Sequence, residues 1–349
     1  NNMVDTLVKE TTTVTEDVSG SLLISAADGA TLKGIQVGGD LILAPGVTKD
    51  VTLVDCVIQG NIRNYGTGEV RFEAPQITPE STATKPSEVY KPGATLDRTL
   101  EYNGKTVPIY RDRPLNVFSD VDFIWTDEKN ENQRRLEYLG GEFRTRYGID
   151  VSSFQGEIDW DAVADDDIDF AMVRVGFRGT GTGSLNTDKY YEQNIRGAMR
   201  AGLETGVYFF AQAVTVEEAI EEADYVISLL NGLDINGPVA YDWEMHDSTY
   251  RVYGTSPEMA TACAVAFCQR IKDAGYTPMV YGGTYVTYMK YDQGALADYL
   301  SWYPEYKSEK SEKLCPTLVY HMDYWQFSST RAVAGINGRV DMNIQFIRR

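Results

Sequence analysis

Two rhythms of apolar residues run along this chain, and one gives way to the other near residue 147. Up to about residue 74, short runs such as Ala30-Thr-Leu-Lys and Asp50-Val-Thr-Leu-Val have strand character, and no stretch has helical periodicity. VSGSLL (Val18 to Leu23), VGGDLI (Val37 to Ile42) and IQGNI (Ile58 to Ile62) repeat an apolar-x-Gly-polar-apolar pattern. Repeats roughly 20 residues apart imply stacked coils. Residues 1–74 are therefore expected to form a small all-β, β-solenoid-like domain with glycines at its corners. A β-sandwich is the alternative. Ala74 to Gly93 is rich in Pro, Ser and Thr, a linker composition. Residues 75–146 are read as this linker and a small bridging module, with strands in TVPIY and NVFSDVDFIW and a short helix in NENQRRLEYLG.

From Tyr147 onward strand and helix alternate. YGIDVS, DFAMVRVGF, GVYFFAQAV, GPVAYDWE and TPMVYGG read as buried strands. The segments that follow them read as helices: IDWDAVADD, DKYYEQNIRGAMRAG, TVEEAIEEADYVISLLNG, SPEMATACAVAFCQRIKDAG and VTYMKYDQGALADYL. Thr215 with Glu218 forms a capping box, and Ser256-Pro257 opens the fourth helix. LSWYPEY, YHMDYWQFS and GRVDMNIQF are further strands with little helix between them. The expected fold for 147–349 is α/β, a TIM-like barrel of five βα units plus three strands, with chemistry at the C-terminal strand ends.

Length and charge narrow the choices. At 349 residues the chain suits two domains, and 43% apolar content supports real cores. No run approaches the roughly 18 apolar residues of a membrane span. The chain begins Asn-Asn-Met, which implies either a removed signal peptide or a truncated sequence. A net charge of −19 argues against a nucleic-acid partner and is read mainly as solubility. Cys56, Cys263, Cys268 and Cys315 are scattered, and only His246 and His321 could help them, so zinc is not expected.

Carboxylates gather at the strand ends. Asp150 closes the first strand, Asp242 and Glu244 close the fourth, and Asp341 lies in the last. Residues two apart on a strand face the same side, so Asp242 and Glu244 repel each other at close range. If the barrel closes, its first and last strands are neighbours and bring Asp150 to Asp341. Tyr208, Phe210, Tyr281, Trp302, Tyr306, Trp325 and Phe327 sit at the same ends. Acids with aromatic walls suit a sugar, whose CH faces stack on rings while its hydroxyls need acceptors. An isolated DxE pair is usually a surface feature, a strand aromatic is usually core, and His246 is read as a loop residue. Context lifts Asp242 and Glu244 above that reading, because charge at the end of an apolar strand is costly. A magnesium or calcium site is a rival reading of clustered carboxylates.

GIDVSSFQGEIDW (Gly148 to Trp160), PVAYDWE (Pro238 to Glu244), PMVYGG (Pro278 to Gly283), WQFSS and GINGRVDMN (within Trp325 to Asn343) together resemble glycoside hydrolase family 25. This family comprises bacterial and phage lysozymes that act as N-acetylmuramidases. The resemblance covers Tyr147 to Arg349 and leaves the first 146 residues outside. It implies a barrel of five βα units and three further strands. It also implies that Glu244 is the general acid, and that Asp242 stabilises positive charge near the anomeric carbon or orients the substrate N-acetyl group. Asp150 and Asp341 resemble the two remaining acids, and Tyr208, Tyr281, Trp302 and Trp325 match ring positions around the sugar. Crowding is expected to keep a proton on Glu244 while Asp242 stays ionised. Family members retain configuration, with the substrate's acetamido oxygen as a candidate nucleophile. Departures are Pro304 in WYPEY, HMDY before the WQ motif, and Tyr250 to Gly254, which lengthen the loop after DWE.

These readings imply a secreted or surface-attached bacterial muramidase acting on peptidoglycan glycan strands, with no cofactor. The β-rich N-terminal region would be a spacer or wall-binding module. A non-catalytic wall-binding lectin and a hydrolase of another polymer such as chitin are the alternatives.

Overall fold

The computed structural model describes residues 4–10, 13–54, 56–73, 84–128 and 130–349. It divides into two compact units, one made of Asn1–Thr82 with Ile227–Gly232 and the other of Ala83–Val226 with Leu233–Arg349. The part of the expected linker at 74–83 lies outside the described residues.

In the N-terminal unit every sheet is parallel. Val4–Val8, Ser21–Ile24, Leu41–Leu43 and Ile62–Asn64 form one sheet. Thr13–Val14, Ala30–Lys33, Val51–Val54 and Val70–Glu73 form another. The sequence repeat sets the register: Leu22 stands opposite Leu41, and Leu41 opposite Ile62. Alternate residues point inward, so Leu22, Ile24, Leu41, Leu43, Leu32 and Leu53 make a dry core. Gly39 belongs to the repeat for a steric reason. A Cβ there would lie 2.8 Å from the Gly20 carbonyl carbon of the preceding coil. The parallel pairing sets aside the β-sandwich alternative.

The second unit is built on a ring of eight strands: Phe143–Val151, Phe170–Arg178, Glu204–Ala211, Val239–Trp243, Pro278–Tyr281, Leu300–Pro304, Tyr324–Arg331 and Val340–Arg348. The first seven pair in sequence order and in parallel. The eighth runs antiparallel to both the seventh and the first, and so closes the ring. Leu185–Thr187 adds a short antiparallel strand outside the ring.

This corrects the expected fold. The unit is a closed eight-stranded β-barrel of mixed direction, not a TIM-like barrel of five βα units plus three strands. Reading strand–helix alternation as parallel βα repetition missed the antiparallel direction of the closing strand. Only residues 332–339 separate the seventh and eighth strands, too short for the crossover of a dozen or more residues that parallel neighbours need. The expected fifth helix also shrinks to Thr284–Met289.

Residues 84–142 belong to the same unit. Leu96–Tyr102 and Lys105–Tyr110 form a hairpin. NENQRRLEYLG is not a helix: one 3-10 turn, Glu131–Gln133, is followed by the strand Leu136–Tyr138, paired with Phe123–Trp125. The buried Leu136 and Phe123 explain the preference for a strand. Phe118 packs on Phe346 with ring centroids 4.4 Å apart, and Phe123 meets Trp325 edge-on at 5.4 Å. The segment therefore covers the outer face of the seventh and eighth strands.

Inside the ring, Phe170, Met172, Ala240, Met279, Tyr281, Trp302 and Tyr324 fill the core below the C-terminal strand ends. Gly148 is required here, because a Cβ on it would sit 2.3 Å from the Phe170 ring. Gly148→Ala should lower the stability of this unit by about 1–3 kcal/mol, the usual cost of overpacking. Adding Phe170→Leu should return part of the loss, as read by denaturant unfolding of the single and double variants.

Candidate active site

A cavity of about 220 Å³ opens at the C-terminal ends of the parallel strands. Asp150, Asp242, Glu244 and Asp341 all line it, together with Tyr208, Phe210, Tyr281, Trp302 and Tyr306. Trp325 does not line it. Side chains alternate along a strand, so Gln326 faces the cavity while Trp325 and Phe327 face outward. The Trp325 indole instead donates to the Glu305 carbonyl at 3.0 Å and packs on Phe123.

Barrel closure places Asp150 directly opposite Asp341 in the antiparallel ladder. The two carboxyls are hydrogen-bonded to each other. Asp150 Oδ2 also accepts from Gln326 Nε2 and from Asn343 Nδ2, each at 2.8 Å. Those amides are held in turn. The Tyr281 and Tyr306 hydroxyls both donate to Gln326 Oε1 at 3.1 Å, and Trp302 Nε1 donates to Asn343 Oδ1 at 2.8 Å. Burial raises the Asp150 carboxyl to about 6 against the two amide bonds that favour its charge. Burial, then the Asp150 charge, raises Asp341 to about 8. Asp150, with two amide donors, is the ionised partner, and Asp341 carries the shared proton.

Asp242 and Glu244 form the second hydrogen-bonded pair. Asp242 is only 6% exposed, and its Oδ1 is buried without a hydrogen-bond partner. Burial first, then the Glu244 charge, holds the Asp242 carboxyl well above the usual carboxylate range. The Glu244 side chain is the outer member, 24% exposed, and its Oε2 lies 2.7 Å from His246 Nε2. Asp242 is the less solvated of the two, and its burial favours its neutral form. His246, in the loop two residues after Glu244, touches a cavity carboxylate.

Arg174 is the cation on the cavity wall. Both its Nε and Nη2 reach Asp188 Oδ2, at 2.9 and 2.8 Å, and its guanidinium lies 5.1 Å from the Phe154 ring. Among the described residues, no group of three or more His, Cys, Asp or Glu is arranged to hold a metal ion. The polar atoms of Gln326 and Asn343 face Asp150 instead.

Sequence reasoning passed over Gln326, Asn343, Arg174, Ser152, Phe154 and Gln155, all in or beside the cavity. Period-two alternation would have found two of them. Asn343 is two residues from Asp341 and shares its face, and Gln326 is a polar residue between outward-facing aromatics.

Raised carboxyl values carry a stability signature. A group with higher proton affinity when folded stabilises fully below its unfolded value, and that stability is lost as pH rises through the folded value. For Asp150 and Asp341 the window runs from the ordinary 3.8 up to about 6 and about 8 respectively. Stability should therefore decline between pH 4 and 8. Asp341→Asn, which keeps a hydrogen-bond donor toward Asp150 without a charge, should gain at least about 1 kcal/mol at pH 8, the equivalent of one pKa unit. Thermal unfolding of both proteins across this range checks it.

The comparisons with known proteins cover this same part of the chain. The family model described as glycosyl hydrolases family 25 matches residues 149–336. The autolytic lysozyme of Clostridium acetobutylicum is 25% identical over 197 residues, 56% of this chain and 54% of that protein. Lysozyme M1 of Streptomyces globisporus is 27% identical over 201 residues, 56% of this chain and 66% of that protein. The match thus spans about half the length of the first relative and just under two thirds of the second. A bacterial lysozyme structure from Streptomyces coelicolor is 26% identical, with a TM-score of 0.46 over 57% of this chain and 90% of that one. With a family model spanning more than half of its residues, this chain belongs to glycosyl hydrolase family 25.

Proposed function

We propose that the protein is a peptidoglycan muramidase. It cleaves the β-1,4 bond between N-acetylmuramic acid and N-acetylglucosamine, and it acts outside the bacterial cell or at its surface. One observation carries the reading: a buried carboxyl, Asp242, hydrogen-bonded to a half-exposed one, Glu244, at the mouth of an aromatic-walled cavity. Glycoside cleavage needs one carboxyl that gives a proton and another that stays ionised.

The proton traffic follows from solvation. In the free site Asp242 holds the proton. A sugar entering the cavity displaces water from Glu244, the outer member, and raises its proton affinity. The proton passes along the existing hydrogen bond to Glu244, which delivers it to the leaving glycosidic oxygen. Asp242 is then ionised where positive charge develops at the anomeric carbon. It is also placed to orient the substrate N-acetyl group. Asp150 and Asp341 share one proton and add a single further negative charge.

Tyr208, Tyr281 and Trp302 form one aromatic wall, with Tyr208–Trp302 and Tyr281–Trp302 ring centroids 5.8 and 4.9 Å apart. Phe210 and the exposed Tyr306 extend it toward the rim. The division into residues 1–74, 75–146 and 147–349 assigns catalysis to the last part and a spacer or wall-binding role to the first. The mechanism uses no cofactor. Among the described residues, no helix is long and apolar enough to cross a membrane.

Glu244→Gln should lower turnover of purified sacculi by roughly 10²- to 10⁴-fold, the usual worth of a positioned general acid. The wild-type protein should release fragments with reducing-end muramic acid, identified by mass. Equal clearing by both proteins would remove Glu244 from the chemistry. Chitin oligomers in place of muropeptides would redirect the substrate, and binding to sacculi without cleavage would support the lectin alternative.

A further inference from the structure

The loop after the fourth strand is anchored by hydrogen bonds beside the site. Arg251 makes two bonds to the Glu218 carboxylate, at 2.7 and 2.9 Å, and donates to the Gln212 carbonyl at 2.9 Å. Its own N–H donates to the Thr180 carbonyl at 2.9 Å. Val252 is fully buried. Gln212 in turn donates through Nε2 to the Glu244 carbonyl at 2.8 Å, and its backbone N–H is held by the buried Glu222. The peptide of Glu244 and the loop beyond it therefore share one anchor.

That anchor presents His246 to Glu244, Nε2 to Oε2 at 2.7 Å. The imidazole is 64% exposed on its other side and meets the Tyr250 ring edge-on at 5.3 Å. The remaining ionisable group near it on the loop is Asp247, whose carboxylate is held below the usual range by bonds from Thr249, with a smaller contribution from His246. Behind Glu244 stand Asp242, Asp150 and Asp341, and among the described residues that line the cavity the cation is Arg174, which Asp188 engages. His246 is thus the imidazole that Glu244 meets from the loop side.

We propose that His246 is a positioning residue for Glu244, holding its carboxylate in the free enzyme and competing with it for a single proton. This rests on the muramidase reading for its consequence in catalysis, but not for the coupling itself. Between pH 5 and 8, the range in which an imidazole ordinarily changes charge, one proton has two places in the pair. On Glu244 it serves as the acid. On His246 it leaves a carboxylate–imidazolium pair that cannot protonate a leaving group. A bound sugar that displaces the imidazole removes this competitor, and Glu244 then takes the proton that Asp242 holds. The loop thereby sets how much acid the site holds at a given pH.

The test is a carboxyl ¹³C NMR titration of the full chain, with Glu244→Gln identifying the Glu244 signal. In His246→Gln, which keeps an N–H donor but not a charge, Glu244 should bind its proton about threefold more tightly or better, since an adjacent opposite charge favours the ionised form. In Glu244→Gln, the His246 imidazole should titrate at lower pH than in the wild type. Unchanged titrations in both variants would overturn the proposal. Activity on sacculi gives the second readout. The ratio of His246→Gln to wild-type rates should grow as pH falls from 8 to 5, whereas a ratio independent of pH would reduce His246 to a structural contact and also overturn it. A coupled titration in a protein that releases no muramic acid fragments at any pH would sustain the pairing while removing the muramidase reading.

Discussion

The antiparallel closure between Phe143–Val151 and Val340–Arg348 is the constraint on which the rest of the site depends. It sets Asp150 opposite Asp341 across one ladder step. It also brings Asn343 of the last strand, beside Gln326 of the seventh, onto Asp150. A slip by one residue would turn these side chains to the other face of the sheet. The register is held from both sides of the wall: by the packed interior around Phe170 and Trp302, and by the aromatic cover that Phe118 and Phe123 lay over Phe346 and Trp325.

Given that frame, the electrostatics follow from solvation. Four carboxylates in one cavity would repel strongly if all were ionised. Here they are paired, Asp150 with Asp341 and Asp242 with Glu244, and each pair shares a hydrogen bond. In each pair the carboxyl with fewer compensating donors takes the proton. Asp150 has two amides and stays charged, and Glu244 has His246 and some solvent. Asp242 and Asp341 have neither, and burial favours their neutral forms. The cavity is thereby less charged than its composition suggests.

Much of this was legible in the chain. Apolar runs located the eight barrel strands, and the two-residue period put Asp242 and Glu244 on one face. The glycine repeat at Gly20, Gly39 and Gly60 set the parallel register of the N-terminal coils. Three things were not legible, each for a physical reason. The direction of the last strand depends on the short connection 332–339 rather than on its own residues, so a parallel βα ring was expected where a mixed eight-stranded barrel exists. The outward turn of Trp325 depends on a cover supplied by Phe123, two hundred residues earlier in the chain. The depth of the two acids depends on the packing around the strand end, which places Asp242 deeper than Glu244 although they are two residues apart.

The most direct measurement is a crystal structure of Glu244→Gln with a muramic acid–glucosamine tetrasaccharide bound. The account predicts the scissile oxygen within about 3 Å of the residue-244 amide, the reach of a general acid, with Asp242 beneath the anomeric carbon and Trp302 and Tyr281 along the sugar. A tetrasaccharide seated elsewhere on the barrel, with Asp242 and residue 244 facing only solvent, would contradict it.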